Sequence, residues 1–242
     1  MYIKNIAIHS ERFPAQDDYP FNLEIFEKTK NIALTRPVTF FIGENGTGKS
    51  TLLQAVAKRC GIHIWRDDEG YIRRVQHRSP YAEQLYRYIQ VEWSGERVKG
   101  SYFDAEIFRY FAECLDAWAK PNPALFQYYG GESLVSRSHG QRHIQYFGAT
   151  YCKKGLYFLD EPENALSPRK QIDLLKILKT AAETGQVQFL AVTHSPILLS
   201  LPEATIFSFD EIPVKETAYE DTDYFRLYKD FLNDRDKYLR AL

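Results

Sequence analysis

The sequence is poor in methionine, with one, and in cysteine, with three. It has no apolar run approaching the ~20 residues that a membrane-spanning helix needs, so no membrane insertion is expected. Cys60, Cys114 and Cys152 are odd in number, far apart and without metal-ligand spacing. That pattern excludes a disulfide framework and a thiolate metal site, and reads as apolar thiols buried in a reducing compartment. An excess of charge of either sign is also missing: 31 Lys+Arg nearly cancel 32 Asp+Glu, so no global field draws the chain to a polyanion or a membrane surface. Sustained heptads, internal repeats and low-complexity stretches are absent, which excludes coiled-coil arms and solenoids. The first residues lack a cationic segment leading into a long apolar run, so no secretory leader is expected and the expected location is cytoplasmic. What remains is 242 residues, 44% apolar and 26% charged, enough for one α/β domain with a sizeable core.

The chain is organised around Gly43-Glu44-Asn45-Gly46-Thr47-Gly48-Lys49-Ser50-Thr51. Residues 38–42 before it are apolar, β-branched and aromatic, as in a buried strand, and Leu52, Leu53, Val56 and Ala57 after it recur at helical spacing. A glycine-rich segment between a strand and a helix is the setting of a phosphate-binding loop. Gly43, Gly46 and Gly48 permit positive φ, and the helix that follows turns unpaired N–H groups and its positive end toward an anion. Lys49 can reach the β- and γ-phosphates, Ser50 can ligate Mg²⁺, and Asn45 and Thr51 complete the nucleotide-binding set. Glu44, acidic in an anion site, is expected to point outward. The chain is expected to bind a nucleoside triphosphate.

The second half holds the remaining chemical signals. Residues 156–159 form an apolar run that ends in Asp160-Glu161, as a buried strand with acids at its carboxyl edge would. In an open α/β sheet that edge is where ligands bind. Asp160 suits Mg²⁺, directly or through water, and Glu161 suits polarising the attacking water. A further apolar strand, 187–192, runs into Thr193-His194-Ser195-Pro196, so His194 is expected to contact a γ-phosphate at the same edge.

Elsewhere the pattern predicts a half-buried strand over 2–8, a second over 21–26 and a short one over 62–65. Another is expected over 88–93 and a last one over 204–209. Together with the central run these predict an antiparallel layer beside a mostly parallel sheet. Helical periodicity runs over 102–118 and 171–182, and the tail 222–242 reads as one amphipathic helix. Phe13 and Tyr19 are candidates to stack on an adenine ring, although packing aromatics are commoner. Arg73, Arg74, His77 and Arg78 form a local basic cluster, most simply a solvated surface and otherwise a polynucleotide contact.

Four strings occur in order: the loop 43–51, Ser138-His139-Gly140-Gln141, Leu159-Asp160-Glu161-Pro162 and Thr193-His194-Ser195-Pro196. This set resembles the ABC-class ATPases, and within them the small stand-alone ATPases related to the DNA-repair and chromosome-structure branch. The resemblance spans residues 38–200 and, more loosely, the whole chain. It implies a P-loop NTPase fold of ABC architecture, read as a single domain over 1–242. An inserted mixed and helical lobe over about 79–145 would carry the signature motif.

It also implies ATP and Mg²⁺ as ligands and hydrolysis to ADP and phosphate, with Lys49, Glu161 and His194 catalytic. Closure would be ATP-dependent, as a homodimer in which Ser138, Gly140 and Gln141 of one copy meet the nucleotide of the other. Asn164, Ala165 and Leu166 would cross the seam. His139 replaces the first glycine of the usual Ser-Gly-Gly-Gln signature. A γ-phosphate-sensing glutamine is expected between the loop and the signature, and Gln90 and Glu106 both suit the position. Two other uses of the same ATP site stay open. One is the nucleotide-binding subunit of a transporter. The other is a nucleic-acid-associated switch using Arg73, Arg74, Arg78 and Arg142. The protein client is not legible in the sequence.

Overall fold

The continuous apolar runs form parallel strands because both of their faces are covered. In the computed structural model, which describes residues 1–65, 79–135, 139–164 and 166–240, they lie in a six-stranded sheet. In chain order its strands are β3 (Val38–Ile42), β5 (Gly100–Asp104), β6 (Gly155–Asp160), β7 (Val187–Val192), β8 (Thr205–Ser208) and β9 (Lys215–Thr217), where β1, β2 and β4 are assigned to a separate sheet. The spatial order is β5-β6-β7-β3-β8-β9, parallel except for the last pair. That separate sheet is antiparallel and three-stranded: β1 (Ile3–Ile8) lies between β2 (Asn31–Ala33) and β4 (Ile89–Trp93).

Alternation along the central strands sorts side chains onto two cores. Phe41, Leu156, Phe158, Leu190 and Val192 face the antiparallel sheet and helix α2 (Lys49–Arg59), while the short α1 (Glu24–Lys28) adds Ile25 and Phe26 to that core. Phe40, Ile42, Tyr157, Leu159, Phe189 and Ala191 face the opposite layer. That layer holds α3 (Phe108–Ala119), α4 (His139–Tyr151), α5 (Pro168–Glu183) and α6 (Pro196–Leu199). The period of two has a consequence for the site: Asp160 shares parity with Leu156 and Phe158 and therefore turns toward α2. The chain ends in α7 (Asp223–Asn233) and α8 (Arg235–Leu239).

Several elements differ from the sequence expectations. The strand expected over 21–26 is instead loop leading into α1, because Phe21 and Ile25 are buried at a helical rather than an alternating spacing. Residues 62–65 form no strand. Ile62 is tied to α2 by its N–H on the Ala57 carbonyl, and Trp65 is held by ring packing on Phe111 and Trp118. The helix expected over 102–118 starts only at Phe108, since Tyr102 and Phe103 go to opposite faces of the sheet as strand residues. The tail breaks at Asp234, whose side chain caps α8 by accepting the Lys237 N–H. Cys152 is exposed, whereas Cys60 is buried and its thiol is pushed up to about 12 by that burial.

The span 79–145 contributes β4 to one sheet and β5 to the other before α3, the 3₁₀ segment Pro123–Tyr129 and the start of α4. Arg73, Arg74, His77, Arg78, Ser138 and Ala165 lie outside the described residues. Arg142, expected on a surface, is buried in α4 at 7% exposure. Among the described residues no helix is long and apolar enough to cross a membrane.

Candidate active site

The parallel register brings the chemistry to one edge. Asp104 pairs with Asp160, Asp160 with Val192, Phe41 with Val192, and Ile42 with Ser208. The residues just past these strand ends are Glu106, Glu161, His194, Gly43 and Asp210, which places them along a single carboxyl edge of the sheet.

The loop between β3 and α2 has φ of 138° at Gly43, 85° at Gly46 and 99° at Gly48. At two of these positions a side chain would also crowd its neighbours. A Cβ at Gly43 would lie 3.0 Å from Asp210 Oδ1, and one at Gly48 would lie 2.8 Å from Phe26 Cζ. Gly48 caps α2, whose first turn carries no acidic residue, so its free N–H groups meet no competing charge from their own helix. Lys49 is buried, and its Nζ donates to the carbonyls of Gly43 and Glu44, each at 2.6 Å. Burial lowers its pKa, against the pull of Asp210, Glu161 and Asp160. Glu44 and Asn45 are exposed, and Asp210 Oδ1 accepts the Glu44 N–H at 2.7 Å. Thr51 is half-buried with its hydroxyl 2.5 Å from that of Tyr19. Phe13 is occupied in the core, with its ring 4.6 Å from Phe21 and 5.6 Å from Tyr88.

Asp160 is reached from two sides. Ser50 Oγ donates to its Oδ1 and the Tyr102 hydroxyl to its Oδ2, both at 2.7 Å. Burial pushes its carboxyl up to about 6 in spite of those two donors. Asp160 and Ser50 thus present converging oxygens and a buried, uncompensated carboxylate. That suits a hard divalent cation which draws its other ligands from phosphate and water.

Glu161 follows with φ of 45°, a left-handed backbone that turns the chain sharply off β6. Its N–H donates to the Val192 carbonyl at 3.0 Å. Its carboxylate accepts the Asn164 amide at 2.6 Å on Oε2 and lies 3.4 Å from His194 Nε2 through Oε1. That last approach is within ion-pair distance but lacks hydrogen-bond geometry, and His194 Nε2 is buried without a hydrogen-bond partner. The His194 N–H is accepted by Glu163 Oε1 at 2.5 Å, and Nδ1 lies 2.6 Å from the hydroxyl of Tyr224. Tyr224 in turn reaches the Gly43 carbonyl at 3.0 Å.

Of the two candidate γ-phosphate sensors, Gln90 lies in the antiparallel sheet opposite Ala7 with its side chain on His9. Glu106 follows Asp104 at the catalytic edge, its N–H held by the Asp104 carboxylate at 2.8 Å. Burial raises the pKa of Asp104. Gly140 and Gln141 occupy the first turn of α4, Gln141 exposed. Asn164 is engaged on Glu161 within its own chain.

Four residues of the site were not anticipated from sequence: Tyr102, Glu163, Asp210 and Tyr224. Asp210 had a usable signal, since it follows an apolar strand just as Asp160 ends one. Tyr102 had the parity of a strand residue two before Asp104. Tyr224 had none, being far along the chain in a tail helix.

A glycine loop that leaves its lysine waiting on main-chain carbonyls, with acids at the next strand ends, suits holding a nucleoside triphosphate and cutting its last bond. The comparisons with known proteins support an ATP-binding, ATP-hydrolysing protein of the ABC class. Residues 128–200 match the family described as "AAA domain, putative AbiEii toxin, Type IV TA system", and residues 21–61 match one described as "AAA domain". Over 228 residues the chain is 24% identical to the thiamine import ATP-binding protein ThiQ of Haemophilus influenzae (strain 86-028NP), covering 90% of this chain and 95% of that protein. A solved structure of an inward-facing putative metal-chelate type ABC transporter is similar at a TM-score of 0.47 and 18% identity, covering 79% of this chain and 76% of that one. A model of ribosome-bound archaeal Pelota and ABCE1 is similar at 0.44 and 14%, covering 90% of this chain and 33% of that one.

Proposed function

We propose that the chain hydrolyses ATP as a nucleotide-gated homodimer of the stand-alone kind, each copy closing over the triphosphate held by the other. On nucleotide arrival Lys49 exchanges the Gly43 and Glu44 carbonyls for phosphate oxygens, and the N–H groups of the loop and of α2 take the remaining charge. Glu161 polarises the water that attacks the γ-phosphate, and His194 contacts that phosphate and the water. Ser50 and Asp160 would hold Mg²⁺, which supplies charge neutralisation between the β- and γ-phosphates.

The observation that carries the hydrolytic reading is the convergence of Glu161 and His194 Nε2, 3.4 Å apart, at the strand edge beside the loop. The dimeric reading is supported by the place of α4. Its main packing partners are α5 and the Pro123–Tyr129 segment, and Gln141 in its first turn is exposed, as contact with a second copy would require. Hydrolysis removes the phosphate that both copies share, and the pair then opens.

The test is Glu161→Gln, with turnover and mass measured together. Loss of turnover by at least about a hundredfold is expected, with a dimer that persists in ATP and dissociates in ADP. Wild-type turnover in that variant would remove Glu161 as the base. A monomer in saturating ATP would remove the dimer.

A second reading is the nucleotide-binding subunit of a transporter, favoured by alignment of the chain along 90% of its length with a thiamine import ATP-binding protein. Fractionation of native cells discriminates. Recovery with membranes, bound to an integral partner that stimulates ATP turnover, would establish the transporter role and displace the stand-alone one.

A further inference from the structure

Helix α7 begins against the catalytic edge, where the Tyr219 hydroxyl ties the tail to Pro196 and two further contacts brace the first turn from within the tail. The Thr222 hydroxyl accepts the Phe225 N–H at 3.3 Å, the Tyr219 hydroxyl donates to the Pro196 carbonyl at 3.0 Å, and the Tyr219 and Phe225 rings lie 4.7 Å apart. Tyr224 is thereby delivered between His194 and the phosphate loop, its ring 5.4 Å from the imidazole and nearly perpendicular to it.

The hydrogen-bond arithmetic at this junction has one solution. The Gly43 carbonyl can only accept, so the contact at 3.0 Å uses the single proton of the Tyr224 hydroxyl. That proton cannot also serve His194, so at 2.6 Å it is Nδ1 that must donate, into a lone pair of the phenol oxygen. Neutral His194 then carries its proton on Nδ1 and shows a bare lone pair at Nε2. Nε2 is the buried atom with no hydrogen-bond partner, and it faces Glu161 Oε1. Two acceptors 3.4 Å apart at the place assigned to the attacking water are matched by one molecule that gives a proton to each. The opposite tautomer would turn an N–H toward the carboxylate and leave the water one acceptor instead of two.

We propose that Tyr224 is a positioning residue for hydrolysis. By donating to Gly43 and accepting from His194 Nδ1, it fixes the histidine with Nε2 as an acceptor for the nucleophilic water, and it ties that setting to the backbone of the phosphate loop. The inference rests on the hydrolytic roles given above to Glu161 and His194. Two further consequences follow. Gly43 keeps a donor when Lys49 leaves it for phosphate. And His194 can donate to a phosphate oxygen through Nε2 only when it carries both ring protons.

The experiment reads the tautomer directly and separates this inference from the one beneath it. Long-range ¹H–¹⁵N correlation spectra of the histidine-labelled, nucleotide-free full chain, with His194 assigned by its loss in His194→Ala, are expected to show neutral His194 protonated on Nδ1. Tyr224→Phe keeps the ring and removes only the oxygen. It should shift His194 toward the Nε2-protonated form and lower kcat about tenfold, with the Kd for a non-hydrolysable ATP analogue within about twofold of wild type.

A wild-type histidine protonated on Nε2 overturns the proposal without any variant. So does a Tyr224→Phe chain with unchanged tautomer or unchanged kcat. If His194→Ala itself turns over at the wild-type rate, the role of His194 fails, whatever its tautomer.

Discussion

Asp160 bears a charge that the fold has taken out of water. Two hydroxyls donate to it, yet burial still pushes its carboxyl up to about 6, so the ionised form costs free energy in the absence of a cation. An amide there would keep both contacts, since the Ser50 and Tyr102 hydroxyls can each donate or accept. Asp160→Asn is therefore expected to stabilise the nucleotide- and metal-free chain, on the order of 2 kcal/mol, while turnover is lost. Urea denaturation in chelator checks the first half, and a variant less stable than wild type would contradict it. The same conflict explains Lys49, which burial also disfavours as a charge and which rests on carbonyls until an anion replaces them.

Between elements, one side chain joins the two sheets. Gln188 of β7 is fully buried, and its Oε1 accepts the N–H groups of Tyr2 and Ile3 at 2.7 and 2.9 Å. Its Nε2 donates to the Ile3 carbonyl at 2.8 Å. The start of β1 thus borrows a ladder from a side chain, where the β-bulge between Ile3 and Asn5 interrupts its pairing with β4. Gln188→Leu keeps the volume and strands three main-chain groups, at a cost of about 3 kcal/mol. The measurement is the urea midpoint at unchanged m-value. A loss below about 0.5 kcal/mol would mean that water reaches the β1 groups. Gly100 has a comparable role at the other end of the sheet, for a Cβ there would lie 1.7 Å from the Leu156 carbonyl oxygen and break the pairing of β5 with β6.

At the scale of the whole molecule the proposed dimer makes catalysis a property of two chains. Turnover per chain is expected to climb with chain concentration at saturating ATP and then reach a plateau. Ser138→Arg should abolish turnover by itself yet leave ATP affinity within a fewfold of wild type. Rates per chain that stay flat on dilution, in a sample whose mass is that of one chain, would show that a single copy suffices. The two cores of the central sheet are each built from residues of one chain.

The candidate site was legible in sequence wherever its residues are local. The run 43–51, the acids that end β6 and the histidine after β7 each sit beside an apolar strand, and backbone geometry at a strand end acts over a few residues. Element type was also legible for long periodic segments such as α5 and β7. It failed where spacing was ambiguous, as at 21–26 and 102–107, since short apolar runs satisfy two periods at once. Tertiary structure alone decided which side chains complete the site. Tyr102 reaches Asp160 across 58 positions, and Tyr224 reaches Gly43 across 181. Such contacts depend on the register of the parallel strands and on where a tail helix docks, and both are set by burial summed over the whole core, which no local pattern records.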